Sequence, residues 1–209
     1  MPLERFDWLE HSFGTRHSDG LAAARPYATL KQIHSSRCVE AHQCGYLGRA
    51  DALVTAHPGI LVGVRTADCL PVLLVEEATR SVAAIHAGWR GIAQGVTRSA
   101  VNQMRERYGA SPAVMQAAIG PGIGVCCYEV GSEVAAQFEC WYPDVRAAPA
   151  RLRLNLAEIV RRQLLELGIA GERIYGGAPC TFCSESDFFS YRRDHLRAGR
   201  MISVIGVRA

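Results

Sequence analysis

Two apolar runs around a short polar break, Leu70-Pro-Val-Leu-Leu-Val75 and Ser81-Val-Ala-Ala-Ile-His86, constrain this chain more than any other feature. Runs of this length with turn residues between them read as paired buried strands, closed by a hairpin turn around Glu77 to Arg80. If Glu76 pairs with Ser81, His86 lies opposite Pro71 and Cys69 lies opposite Gly88. Side chains alternate along a strand, so Cys69 and His86 then share one face at the open end of the hairpin. A slip of one residue would put them on opposite faces, so the pairing depends on the length of the turn.

Other elements fall around this hairpin. Residues 15–29 are polar and Gly/Ala-rich and read as surface chain. Ala52 to Thr55 and Ile60 to Arg65 read as short strands with a turn at His57-Pro58-Gly59. Ile92, Val96, Ala100, Val101, Met104 and Tyr108 are spaced for one face of a helix from about Ile92 to Tyr108, stopped by Gly109. A buried strand, Val114 to Ile119, runs into the loop Gly120-Pro-Gly-Ile-Gly124, and a short helix follows Ser132. Asn155-x-x-Glu158 has capping-box spacing and opens a helix that ends at Gly168. Met201 to Val207 forms a last strand. Antiparallel pairs mixed with strands beside helices predict an α+β fold with a mixed sheet. No G-x-G-x-x-G follows a strand, which argues against dinucleotide binding.

With 209 residues, one domain spanning 1–209 is expected. The net charge of +3 is spread along the chain with no basic run interleaved with aromatics, so no nucleic-acid partner is expected. The N-terminus lacks a signal-peptide pattern and no apolar stretch is long enough to span a bilayer, which predicts a cytoplasmic protein without a membrane partner. Its eight cysteines are then expected to be reduced, and each is core, ligand or nucleophile.

The chemistry concentrates near the hairpin. Cys69, His86 and His34 make a Cys/His/His set, the composition of an open catalytic zinc site with a labile fourth position. Thiolate and imidazole also suit copper. Spacing alone favours the plainer alternative, a core cysteine and a satisfied strand-end histidine. His34, in Leu30-Lys-Gln-Ile-His34, cannot be placed relative to the other two from spacing. The turn Ala87-Gly-Trp-Arg-Gly91 leads into a helix N-terminus and offers an anion seat, with Arg90 and Arg65 beside it. Asp51 and Asp68 are candidates to orient a histidine or a water, or else turn carboxylates. One of Cys126 and Cys127 is a candidate pocket residue. Cys180-Thr-Phe-Cys183 has metal or redox spacing, but a single C-x-x-C is a weak signal. Cys38, Cys44 and Cys140 read as structural. Phe188-Phe-Ser-Tyr-Arg-Arg-Asp194 combines aromatics and arginines suited to a flat polar ligand, or is a solvated surface loop.

Six ordered segments resemble one known family: Lys31-Gln-Ile-His34, Ala50-Asp-Ala-Leu-Val-Thr55, Thr66-Ala-Asp-Cys-Leu-Pro-Val-Leu-Leu74, Ile85-His-Ala-Gly-Trp-Arg-Gly91, Ile119-Gly-Pro121 with Cys127-Tyr-Glu-Val130, and Phe188 to Asp194. The chain resembles the YfiH family, also called the laccase-domain or multicopper polyphenol oxidase-like family. The resemblance implies an α+β sandwich of stacked mixed β-sheets flanked by helices. It implies a metal, Zn2+ or in some members Cu2+, on His34, Cys69 and His86. It also implies phosphorolysis of purine nucleosides (adenosine, inosine, guanosine and methylthioadenosine) together with adenosine deamination. Other members have been described as polyphenol oxidases or as peptidoglycan editing factors.

The expected catalytic residues are Cys69, His34, His86, Arg65 and Asp68. Arg90, Gly91, Cys127, Ser190, Tyr191 and Arg192 are expected to hold nucleoside and phosphate, with the Phe188 to Arg193 segment stacking the purine. The expected partner is this small-molecule pair, and the expected assembly a monomer or homodimer. A cysteine-hydrolase or amidase alternative makes Cys69 a nucleophile with a histidine as its base, and whether Cys69 is ligand or nucleophile stays open. The chain departs from the family in lacking most of a segment between Arg16 and Lys31. It also has Ser35 and His195 where glycine is usual, and Gly122 and Val125 in place of a common Cys and Pro. These departures bear on substrate range and leave the three metal-ligand positions intact.

Overall fold

A computed structural model describes residues 2–141 and 151–209. The first strands are β1 (Leu9–Ser12), β2 (Ala28–Lys31), β3 (Cys38–Glu40), β4 (Gly45–Arg49) and β5 (Ala52–Thr55). Next come β6 (Leu61–Thr66), β7 (Leu70–Glu76), β8 (Ser81–Ala87), β9 (Gln116–Ile119) and β10 (Glu129–Gly131). The last are β11 (Arg151–Arg153), β12 (Ile174–Tyr175) and β13 (Met201–Val207). The helices are α1 (Leu21–Ala24), α2 (Trp89–Ala93), α3 (Val96–Tyr108), α4 (Ser132–Ala135), α5 (Leu156–Glu166) and α6 (Tyr191–Asp194).

One sheet has the order β12-β9-β7-β8-β5-β3 and a second the order β1-β13-β6-β2-β4; β10 and β11 form a separate pair. Both large sheets are mixed: β8 runs antiparallel to its neighbours β7 and β5, whereas β3 joins β5, and β2 joins β4 and β6, in parallel. The hairpin has the expected register, with Glu76 opposite Ser81 and Pro71 opposite His86. Glu76 fixes it, since its buried carboxylate accepts from the N–H of Ala78 and of Thr79 and from Oγ1 of Thr79. A strand buried on both faces has no polar side, which explains the unbroken apolar runs of β7 and β8.

The two faces of β7 and β8 belong to different layers. Val72, Leu74, Ala83 and Ile85 pack under α3 and α5, whereas Leu73, Val75, Val82 and Ala84 pack against Val62, Val64 and Ile205 of the other sheet. The result is a sheet, a second sheet and a helical layer, in agreement with the expected α+β sandwich. By the same alternation Cys69, Pro71 and His86 fall on the face between the two sheets, at the end of the hairpin.

Three expectations need correction. The helix foreseen from Ile92 is two: α2 begins at Trp89, and Gly95, with φ +81°, breaks the chain before α3. Residues 15–29 are not wholly surface chain, because Leu21–Ala24 form one helical turn and Ala28 is buried in β2. The strand foreseen at Val114 starts at Gln116, after a 3-10 turn with Pro112 at its head. The capping of α5 is as expected, with the Asn155 side chain accepting from Glu158 N–H at 3.1 Å.

Candidate active site

The segment that sequence could not place, His34, is held by a buried carboxylate. Asp51 precedes β5 and is fully buried. It accepts from the backbone N–H groups of Ile33, His34 and Ser35, the last two at 2.9 and 2.6 Å, and from Ser35 Oγ at 2.7 Å. Its remaining contact is His86 Nδ1 at 2.8 Å. One side chain thus bends the chain after β2 into a turn, with His34 at φ +58°, and orients the ring of His86. Because Nδ1 of His86 faces Asp51, Nε2 is directed to Cys69. This is the carboxylate–histidine arrangement that fixes tautomer and ring direction in metal sites.

The donor atoms of His34, Cys69 and His86 lie within 4.8 Å of one another. The two imidazole rings meet edge to face with centroids 4.8 Å apart. Gly88 makes this convergence possible: a Cβ there would stand 2.7 Å from His34 Nδ1 and 3.0 Å from Cys69 Sγ. Two nitrogens and a sulfur, a second-sphere carboxylate and an open side suit a tetrahedral ion with one labile position, so these residues fit zinc or copper.

Charge is arranged to match. Burial opposes a proton on His86, but its hydrogen bonds to Asp51 and Cys69 prevail and raise the imidazole to about 9. Burial likewise pushes Asp51 up, yet the donors from His86 and Ser35 outweigh it and hold the carboxyl at about 2. His34 is lowered by burial and by the neighbouring His86.

Above the three side chains opens a cavity of about 980 Å³. Lys31, Arg65, Arg90, Arg192 and Arg200 line it, and Trp89, Tyr128 and Tyr191 supply aromatic walls. Arg90 lies over the Trp89 ring at 4.3 Å and Arg192 over the Tyr128 ring at 5.4 Å. Asp68, the acid on the wall, is already engaged: its carboxylate accepts from Thr181 Oγ1, Ser190 Oγ and Arg192 N–H. A cavity with cations on its rim and flat rings on its walls favours an anion beside an aromatic group.

Of the expected site residues, His34, Cys69, His86, Arg65, Asp68, Arg90, Tyr191 and Arg192 all line this cavity. The structure places others elsewhere. Gly91 lies in the first turn of α2, buried beside the Ser35 carbonyl and not among the residues that line the cavity; with only one turn of helix, the cations supply most of the positive field. Ser190 is buried and caps α6, accepting from Arg193 N–H while it donates to Asp68. Asp68 does not touch a histidine; it ties the 181–192 segment to the turn before β7. Phe188 is buried and Phe189 packs under Gly199 and Arg16, so neither stacks in the cavity. Cys127 sits in a cluster with Cys126, Cys180 and Cys183.

Sequence reasoning missed Lys31, Trp89, Tyr128 and Arg200 as cavity residues. Their signal was adjacency to a recognised segment, as with Tyr128 directly after Cys127. Among the described residues no helix is long and apolar enough to cross a membrane.

The chain is similar to known proteins over most of its length. The family model for multi-copper polyphenol oxidoreductase laccase matches residues 15–208. A Deinococcus radiodurans protein named purine nucleoside phosphorylase is 42% identical over 190 residues, covering 88% of this chain and 72% of the relative. The crystal structure of Bacillus licheniformis hypothetical protein YfiH superposes with TM-score 0.82 at 33% identity, covering 87% of this chain and 74% of that one. The crystal structure of YlmD from Geobacillus stearothermophilus gives TM-score 0.89 at 28% identity, covering 98% and 93%.

Proposed function

The chain belongs to the multi-copper polyphenol oxidoreductase laccase family, and on that footing we propose that it is a metal-dependent purine nucleoside phosphorylase. The observation that carries this reading is the cation-rimmed, aromatic-walled cavity over the His34, Cys69 and His86 donor set. In the reaction a phosphate oxygen bonds to the anomeric carbon as the glycosidic bond to the purine breaks. Pentose 1-phosphate forms, and the base leaves with the bonding pair and takes up a proton. Arg65 and Arg90 hold the phosphate, since neither guanidinium has a hydrogen-bond partner among the described residues. Tyr128 and Tyr191 bracket the base, and a volume of about 980 Å³ accommodates both reactants. A metal bound by His34, Cys69 and His86 would supply Lewis acidity, which adenosine deamination as a companion activity requires. Adenosine, inosine, guanosine and methylthioadenosine are the proposed substrates, and zinc the proposed metal.

Incubation of purified, metal-replete protein with adenosine or inosine tests the reading. Free base and pentose 1-phosphate should accumulate only when phosphate is present. Unchanged nucleoside in both conditions would overturn it.

A second reading has its own observation. Cys69, His86 and Asp51 form a hydrogen-bonded series, the order a cysteine hydrolase uses for nucleophile, base and orienting acid. It predicts an amidase acting on a cell-wall precursor. Ligation and nucleophilic attack compete for one thiolate, so stoichiometric zinc that protects Cys69 from alkylation counts against the hydrolase.

A further inference from the structure

Far from His34 in sequence, two ordinary-looking cysteine pairs meet. Cys126 and Cys127 follow the glycine loop after β9, and Cys180 and Cys183 lie between β12 and α6. Their four Sγ atoms fall within 4.8 Å of one another, with Cys126 to Cys183 at 3.7 Å and Cys127 to Cys183 at 3.3 Å. We propose that Cys126, Cys127, Cys180 and Cys183 bind a single zinc ion, forming a structural site separate from the His34, Cys69 and His86 set.

The geometry suits one ion. Tetrahedral zinc with bonds of about 2.3 Å to four sulfurs places those sulfurs roughly 3.8 Å apart. The two separations given above need adjustments of only tenths of an ångström, whereas a multi-iron cluster holds its cysteine sulfurs farther apart. A disulfide accounts for the cluster less well, because Cys183 lies close to two partners and can bridge only one. Closed four-cysteine zinc sites are structural, and their thiolates accept backbone N–H groups. Gly124 N–H points at Cys180 Sγ at 3.1 Å, and the absence of a side chain there leaves room for the sulfurs, since a Cβ would stand 3.1 Å from Cys180 Cβ and 3.2 Å from Cys126 Sγ.

The two segments are already aligned by Thr181 N–H donating to the Gly122 carbonyl. An ion at this point would clamp one cavity wall. Tyr128, which lines the cavity, directly follows Cys127, and Thr181, which donates to Asp68, directly follows Cys180. The proposal does not depend on the phosphorylase reading, and its test uses metal content rather than turnover.

Full-length protein purified under reducing, anaerobic conditions from zinc-supplemented culture should carry about two zinc ions per chain by elemental analysis. His34→Ala should retain the four-cysteine ion, and Cys126→Ala/Cys183→Ala should retain only the ion of the His34 set. Equal zinc in the cysteine variant and the wild type would overturn the proposal, as would iron in place of zinc. Should the cysteine variant fail to fold, alkylation of native His34→Ala with peptide mapping decides the same question. The four thiols should resist reagent until zinc is chelated. Immediate modification of all four, or a Cys127–Cys183 disulfide in the anaerobic protein, would overturn the proposal.

Discussion

Replacing Asp51 with asparagine should damage both the fold and the metal site, by amounts that follow from its contacts. Both carboxylate oxygens accept: Oδ1 from His34 N–H and His86 Nδ1, Oδ2 from Ser35 N–H and Ser35 Oγ. Asparagine has one acceptor oxygen, so in either orientation its NH2 faces a buried donor. A donor left unsatisfied costs about 1–3 kcal/mol. The proton equilibrium supplies a second route to the magnitude. Asp51 drops from an ordinary 3.8 to about 2, worth roughly 2 kcal/mol at about 1.4 kcal/mol per unit. The His86 shift partly records the same contact from the other side and is not added.

We therefore expect Asp51→Asn to lose about 2–4 kcal/mol in urea unfolding of the metal-free protein. The sign with pH is fixed. A depressed carboxyl contributes fully above its unfolded value and loses that contribution as pH falls toward its folded value. The gap between wild type and variant should therefore close between about pH 4 and 2. Where the amide donates toward His86, the imidazole must expose its lone pair at Nδ1 and carry its proton on Nε2, the nitrogen the metal needs. Zinc affinity measured by chelator competition should fall roughly 10–100-fold. A variant with wild-type unfolding free energy and wild-type zinc affinity would refute the assignment of Asp51 as anchor.

Other perturbations are as specific. Gly88→Ala should leave the circular dichroism spectrum native but lower zinc affinity at least roughly tenfold, because its Cβ would occupy the space of His34 Nδ1 and Cys69 Sγ. Zinc must displace the proton that His86 keeps up to about 9, so apparent affinity in competition titrations should rise with pH and level off near that value. His195 holds φ +50° with ψ −129°, a conformation that disfavours a side chain. His195→Gly should therefore raise stability by about 1 kcal/mol in thermal unfolding.

What the sequence disclosed and what it hid follow from the range of the interactions involved. The β7–β8 register was legible because a short turn fixes it locally, and with it the shared face of Cys69 and His86. The α5 cap was legible for the same reason. The position of His34 was not, since it depends on Asp51, which sits in another strand region and carries no local sign of accepting three backbone donors. The aromatic segment misled: Phe188 is apolar enough to be buried and Phe189 packs half-buried against Gly199 and Arg16, which leaves Tyr191, with its hydroxyl, to face the cavity. The Gly95 break was hidden by an apolar period that continues across it from Ile92 to Val96. The cysteine cluster was invisible because Cys127 and Cys180 are brought together only by the paths of β9 and β12. Each pair alone is a weak signal, and only the fold makes them four.

The central claim, that His34, Cys69 and His86 hold the metal on which nucleoside phosphorolysis depends, is tested most directly by titrating zinc into chelator-stripped protein while measuring phosphate-dependent release of hypoxanthine from inosine. The rate should rise in proportion to the zinc taken up by these three residues, and the same titration of His34→Ala should stay flat. Full phosphorolysis by the stripped protein, or an equal response from His34→Ala, would contradict the account.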